Sequence, residues 1–222
     1  MVKGNTSKKV KRPWPTKAAM EQVYAMQLWG ENGTAFYSGE GSHLPKIVTP
    51  YIEVVSSFLG SFERPLRVCD LGCGDFNIGS TLVAYTAHYI AIDIVESLIV
   101  HNQKTFLQEN LEFHCLDIAV DPLPKADCAV VRQVLQHLSN QEIQQIVEKL
   151  AQYKYVLLTE HLPDQEFEPN KDIISGQGIR LKNHSGVDLL APPFNFKVKK
   201  ETQLLSLQVA KGKIVTKLYQ VF

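Results

Sequence analysis

Three aspartates in this sequence stand where an apolar run stops: Asp70 in LRVCDLGCGDFNIG, Asp93 in YIAIDIV and Asp117 in LEFHCLDIA. Gly72 and Gly74 follow the first of them, and without a Cβ the backbone there can take dihedrals closed to other residues and let a ligand lie against it. A pyrophosphate-binding turn wants G-x-G-x-x-G, but the third position here is Asn77. Asp70, two residues ahead of the first glycine, repels an anion and suits a cation. Asp93 falls about 20 residues past the glycines, where a nucleotide fold needs an acceptor pair for ribose hydroxyls. Together these residues describe a seat for a nucleoside cofactor with a cationic part. Further along come groups able to move protons or hold a polar substrate. His137 could be a general base or could hold its loop by hydrogen bonds. Glu160 and His161 close another apolar run, while Arg180, Lys182 and His184 occupy alternate positions.

These residues need a sheet to bring them together. Leu66, Val68 and Leu71 form the strand before the glycine turn, and Ile78, Leu82 and Tyr85 trace one face of a helix after it. That helix would point its free N–H groups back at the turn. Further buried strands are expected at Tyr89–Val95, Leu111–Ala119, Asp127–Val131 and Tyr155–Thr159, with helical stripes between them. Ser139 and Glu142 form a capping box before the stripe of Ile143, Ile146, Val147 and Leu150. Upstream, a helix starts at Thr16 and a second at Pro50, with Thr49 as its cap. The loop between them, 28–45, carries four glycines with Trp29, Phe36 and Tyr37, a composition suited either to a lid or to aromatic staples of a surface loop. From 163 to 196 glycines and prolines break every periodic run, and two strands joined near Gly212 end the chain.

D-L-G-C-G resembles motif I of the class I S-adenosylmethionine-dependent methyltransferases, although Phe76 stands where that family usually has its last glycine. R-Q-V-L-Q-H-L-S, from Arg132 to Ser139, is similar to the segment that follows strand four in the small-molecule members of the family. The resemblance implies a Rossmann-like, seven-stranded α/β sheet, mostly parallel with a C-terminal antiparallel hairpin and helices on both faces. It implies S-adenosyl-L-methionine as cofactor and S-adenosylhomocysteine as product. Cofactor contacts would come from Asp70, Gly72, Cys73, Gly74 and Asn77 at the turn, from Asp93 and Ile94, from Asp117 at the adenine amino group with Ile118 on the ring, and from the backbone of Arg132 and Gln133 at the methionine end. His137, His161 and Glu160 are the catalytic candidates, and Tyr37, Arg180 and His184 the substrate contacts. No metal is expected, because catechol-type enzymes carry an acid where this chain has Arg132 and Gln133. Ala191-Pro192-Pro193-Phe194 resembles the base-binding N-P-P-Y motif, but it comes one unit late and Ala191 cannot accept the hydrogen bond.

Composition narrows the partners. Lys plus Arg and Asp plus Glu both number 23, so no overall field gathers nucleic acid or an acidic membrane. The basic stretch 1–15 reads as a nucleic-acid arm or a solvated tail, and the absence of aromatics among its charges favours the tail. The four cysteines lack metal-binding spacing and point to a reducing, cytoplasmic setting. No apolar run approaches the ~20 residues needed to cross a bilayer. The expected organisation is a tail (1–15), N-terminal helices with a lid loop (16–64) and a methyltransferase domain (65–222). The expected activity is methyl transfer to an oxygen or nitrogen of a small molecule. The alternatives are an NAD(P)-dependent oxidoreductase, since Asp93 serves that class equally well, or a non-catalytic cofactor-binding scaffold.

Overall fold

A computed structural model of the protein describes residues 14–222; Lys3, Lys8, Lys9, Lys11 and Arg12 of the basic stretch lie outside the described residues. Strands β1 (Arg67–Leu71), β2 (His88–Asp93), β3 (Leu111–Cys115), β4 (Cys128–Arg132), β5 (Tyr155–Leu162), β6 (Lys200–Val209) and β7 (Gly212–Gln220) form one sheet in the order β3-β2-β1-β4-β5-β7-β6. The first five are mutually parallel. Strand β7 runs against both β5 and β6, closing the sheet with the expected hairpin.

Alternation along the strands sorts side chains onto two faces. Cys69, Leu71, Ala129, Val131, Val156 and Leu158 pack against helix α5 (Asn140–Leu150) and the buried Leu189 and Phe194 of the long loop. Val68, Val130 and Leu157 pack on the opposite face against Tyr51, Val55 and Leu59 of helix α2 (Pro45–Gly60). A smaller cluster joins Met20 of α1 (Thr16–Ala25) to Leu98 of α4 (Glu96–Thr105).

Several boundaries depart from the sequence reading, among them that of β5, which runs on to Leu162 and takes Glu160 and His161 into the strand. Helix α2 starts at Pro45 rather than Pro50, with Pro50 carried inside it. Pro45 at the helix start supplies the preorganised φ, and Ile47 then joins the buried face. Strand β3 stops at Cys115, leaving Asp117 and Ile118 in the following turn. Most consequentially, the helix after the glycine turn is a single turn, α3 (Gly79–Leu82), continued as a 3-10 turn through Tyr85. Phe76 explains this: its ring is fully buried against Tyr89, Phe106 and Phe113. The backbone turns through φ 59° at Phe76 to put it there. A Cβ on Gly79 would collide with that ring, so Gly79 makes the room that the absent third glycine does not.

Candidate active site

The glycine turn is held from both sides. The N–H groups of Gly72 and Cys73 each donate 2.8 Å to the carbonyl of Ile92 on β2. Asp93 accepts the Gly74 N–H at 3.1 Å on one carboxylate oxygen and the Val95 N–H at 3.0 Å on the other. Asn102 of α4 is wholly buried and donates 2.8 Å to the Gly74 carbonyl. Gly72 and Gly74 take φ of 89° and 56°, the left-handed side that the turn requires.

Over this turn opens a cavity of about 520 Å³ at the carboxyl ends of the parallel strands. Asp70, Asp93 and Asp117 all line it, together with Gly72, Cys73, Gly74, Ile94 and Ile118. Burial pushes the Asp70 carboxyl up to about 7, against the hydroxyl of Tyr89, which donates 2.9 Å to one of its oxygens. Burial also raises Asp93, but its two backbone N–H bonds oppose the rise. Asp117 spends one oxygen on the Ala119 N–H at 2.9 Å.

The loop before α2 covers the cavity and is tied to its floor. Asp75, inside the glycine turn, accepts the Ser38 N–H and meets His43 Nε2, both at 2.7 Å, while its own N–H donates 2.9 Å to Ser38 Oγ. Tyr24 of α1 shares a 2.9 Å hydrogen bond with the same Ser38 hydroxyl. From β4, Arg132 donates 2.5 Å to the Gly41 carbonyl and 3.3 Å to Ser42 Oγ. Asn77 lies outside the cavity and donates 2.7 Å to the Ser42 carbonyl, so it holds the lid. The loop therefore lies along the cavity, where of its three aromatics Trp29 alone lines it, beside His137 at 5.1 Å between ring centres.

The far wall comes from the long loop 163–196. Gln177, Gly178 and Lys182 line the cavity, and Gln177 reaches across to donate 2.8 Å to the Leu28 carbonyl of the lid. His137 faces the cavity with Nδ1 3.2 Å from the Gly176 carbonyl, which makes Nδ1 the protonated nitrogen. Burial lowers its pKa to about 4, so the imidazole is neutral at pH 7 and a weak base.

Besides Asn77, four residues expected at the site are elsewhere. Arg180 is buried and donates to the carbonyls of Lys171, Leu135 and Leu138 and to Asn140 Oδ1, which makes it a clamp between the long loop and the segment after β4. His184 is exposed, with Nε2 3.2 Å from the Glu166 carbonyl. Tyr37 packs on His43 at 4.6 Å, outside the cavity. Glu160 alternates onto the face of Val156 and Leu158, leaving only His161, on the other face, at the cavity. Both Glu160 carboxylate oxygens are buried without a partner, and burial raises the group to about 8, moderated by Arg180. Its folded pKa lies above its unfolded one, so the stability it contributes is complete below pH ~4 and is lost as pH rises to about 8. Urea unfolding of the wild type should therefore weaken between pH 6.5 and 8 relative to Glu160→Gln, and parallel profiles would contradict this.

Tyr24, Ser38, Tyr51 and Asp75 line the cavity without having been singled out as site residues, and of the three alternating residues of the long loop Lys182 alone lines it. Asp75 carried a visible signal, an acid inside the turn itself. Tyr24 sits beside Met20 and Val23 on α1, and its hydroxyl finds the partner it needs in Ser38.

Residues 69–153 match a family profile described as a methyltransferase domain. No curated protein sequence matches the chain. Among solved structures, the N-methyltransferase NodS from Bradyrhizobium japonicum WM9, in complex with S-adenosyl-L-homocysteine, superposes with a TM-score of 0.67 at 13% identity, covering 91% of this chain and 98% of its own. Magnesium protoporphyrin IX methyltransferase (ChlM) from Synechocystis PCC 6803 with bound SAM gives 0.57 at 15%, covering 95% and 100%. Human N-acetylserotonin methyltransferase in complex with SAM gives 0.59 at 15%, covering 93% of this chain and 60% of the human one. At such identities the likeness speaks for the fold, which is the class I, Rossmann-like methyltransferase fold. The profile match thus covers the part of the chain from β1 to the end of α5, and the three acids stand around one cavity at the edge of that part.

Proposed function

We propose that the protein methylates an oxygen or nitrogen of a small molecule with S-adenosylmethionine, without a metal. The observation that carries this reading is the convergence of Asp70, Asp93 and Asp117, from three successive strand ends, on one cavity. The residues fit the cofactor. A side chain at Gly72 would collide with Val134 and one at Gly74 with Ser38, so packing around the turn itself demands both glycines. The cavity, about 520 Å³, is within the range of small-molecule sites. Asp70 would take the ammonium, Asp93 the ribose hydroxyls and Asp117 the adenine amino group, with Ile94 and Ile118 against the rings. When bound, the cofactor supplies a methyl group already activated on a sulfonium.

What the chain adds is alignment and dryness. Trp29 and Tyr24 from the lid side, and Gln177 and Gly178 from the long loop, enclose the acceptor's space. His137, neutral and anchored through Nδ1, positions that wall, its Nε2 accepting from the Gln136 side-chain amide at 3.3 Å. His161 Nε2 is buried without a partner, and burial keeps this imidazole neutral as well. It would take the proton from an acceptor that arrives protonated. Lys182 replaces Arg180 and His184 as the polar contact for the substrate. The cation of Arg132 at the end of β4 argues against a metal there. No helix among the described residues is long and apolar enough to cross a membrane. The free cysteines support a reducing cytoplasm.

Incubation with methyl-labelled S-adenosylmethionine and a metabolite panel tests the activity: label should move to a small molecule with S-adenosylhomocysteine released. Titration with NADH that gave micromolar binding, with none for S-adenosylhomocysteine, would overturn the reading. A pH series sharpens it. Asp70 must be ionised to hold an ammonium, so S-adenosylhomocysteine affinity should fall about tenfold from pH 8 to pH 6, given a carboxyl raised to about 7. In Asp70→Asn the affinity should be lower and lose that pH dependence.

A further inference from the structure

A lysine in the last turn of a helix ordinarily serves the free carbonyls of that helix. Lys149, in the last turn of α5, serves another element. Its ammonium donates 3.1 Å to the carbonyl of Ile118 and 2.7 Å to those of Ala119 and Asp121, all in the turn that follows β3. An ammonium has three hydrogens, and the three carbonyls take them all. Burial draws the lysine's pKa down, an effect that the nearby Asp117 and Asp121 oppose. Lys149 itself does not line the cavity, whereas Asp117, Ile118 and Ala119 do.

Peptide planarity carries the effect of this clamp to the cavity, because a trans unit points its C=O and N–H in opposite directions. With the Ile118 carbonyl turned to Lys149, the Ala119 N–H of the same unit turns to Asp117 and donates 2.9 Å to Oδ1. The Ala119 carbonyl is held likewise, and the Val120 N–H beyond it donates 3.0 Å to the Asp117 carbonyl. Asp121, whose carbonyl is the third on the lysine, accepts the Asp117 N–H at 2.8 Å on its own Oδ2. The main chain of Asp117 and one of its carboxylate oxygens are thus committed to the segment that Lys149 holds. Asp117 Oδ2 alone receives no hydrogen bond among the described residues. A lysine paired directly with Asp117 would consume that acceptor; one that holds the carbonyls orders the acid and leaves it open.

Resting on the cofactor reading above, we infer that Lys149 is a positioning residue for base recognition: through the peptide of Ile118 and Ala119 it aims the free oxygen of Asp117 at the cofactor's exocyclic amino group. The preference for adenine over a base with an oxo group at that place is therefore set from outside the cavity, by the end of α5.

The test is calorimetric titration of the full chain with S-adenosylhomocysteine and with S-inosylhomocysteine, in which an oxo group replaces the adenine amino group. The wild type should prefer the adenine form about 100-fold, since the oxo group turns an acceptor toward a carboxylate. In Lys149→Met, which keeps an apolar stem of similar length, the preference should shrink to about tenfold or less. A purely structural role would weaken both ligands together and lower the unfolding temperature while leaving their ratio as in the wild type, and that result overturns the inference. A wild-type ratio near one overturns it too, because there is then no selectivity to position. Should Lys149→Met fail to fold, Lys149→Gln, whose shorter amide reaches fewer of the carbonyls, should still cut the ratio at least about threefold, and an undiminished ratio there likewise counts against it. Binding of neither ligand by the wild type would instead sink the cofactor reading, and this inference with it.

Discussion

Asp93→Ala is expected to lower S-adenosylhomocysteine affinity at least about 100-fold, to the limit of calorimetric detection. The carboxylate has two tasks, and alanine ends both. Each oxygen accepts a backbone N–H, from Gly74 and from Val95, which locks the glycine turn to the start of α4. Asp93 also lines the cavity, where on the proposed reading it would meet the ribose hydroxyls. Asp93→Asn keeps one acceptor and should fall between the two, about tenfold below wild type. Unchanged affinity in the alanine variant would show that the cavity is not the cofactor's seat.

Gly72→Ala is the second large effect, and it acts first on the fold. At φ 89° an L-residue is strained, and the new methyl group would overlap a methyl of Val134, a stiff β-branched neighbour. Strain and overlap together should cost about 2–4 kcal/mol in urea unfolding at pH 7. The double variant Gly72→Ala, Val134→Ala separates the two: it relieves the overlap but leaves the dihedral strain, so it should recover about half of the single variant's loss. A double variant as destabilised as the sum of its parts would place the whole cost in the backbone.

Much of this could be read from residue order. The three strand-end acids were legible because each closes an apolar run, and the capping box at Ser139 and Glu142 is present with both of its hydrogen bonds. The failures have physical causes. Two prolines, Pro45 and Pro50, both suit a helix start, and local pattern could not choose between them. The lid's contacts join residues far apart in sequence, 37 positions between Ser38 and Asp75 and 91 between Gly41 and Arg132, beyond the reach of periodicity. Arg180 read as a substrate contact because a cation in a glycine-rich loop suggests exposure, yet it spends its donors on four oxygens inside the fold. Glu160 was within reach: counting by twos from Val156 and Leu158 puts it on the face of α5 and puts His161 opposite.

Asp75 belongs at once to the cradle under the ligand and to the doorway over it, since Ser38 and His43 both grip the carboxylate beside Gly74. Two parts that share an anchor trade free energy in equal measure. Whatever a bound molecule gains by firming the cradle, the doorway gains as well, and a doorway pulled ajar weakens the hold on its occupant by the same amount. Arrival and departure are in that sense a single equilibrium, hinged on one carboxylate.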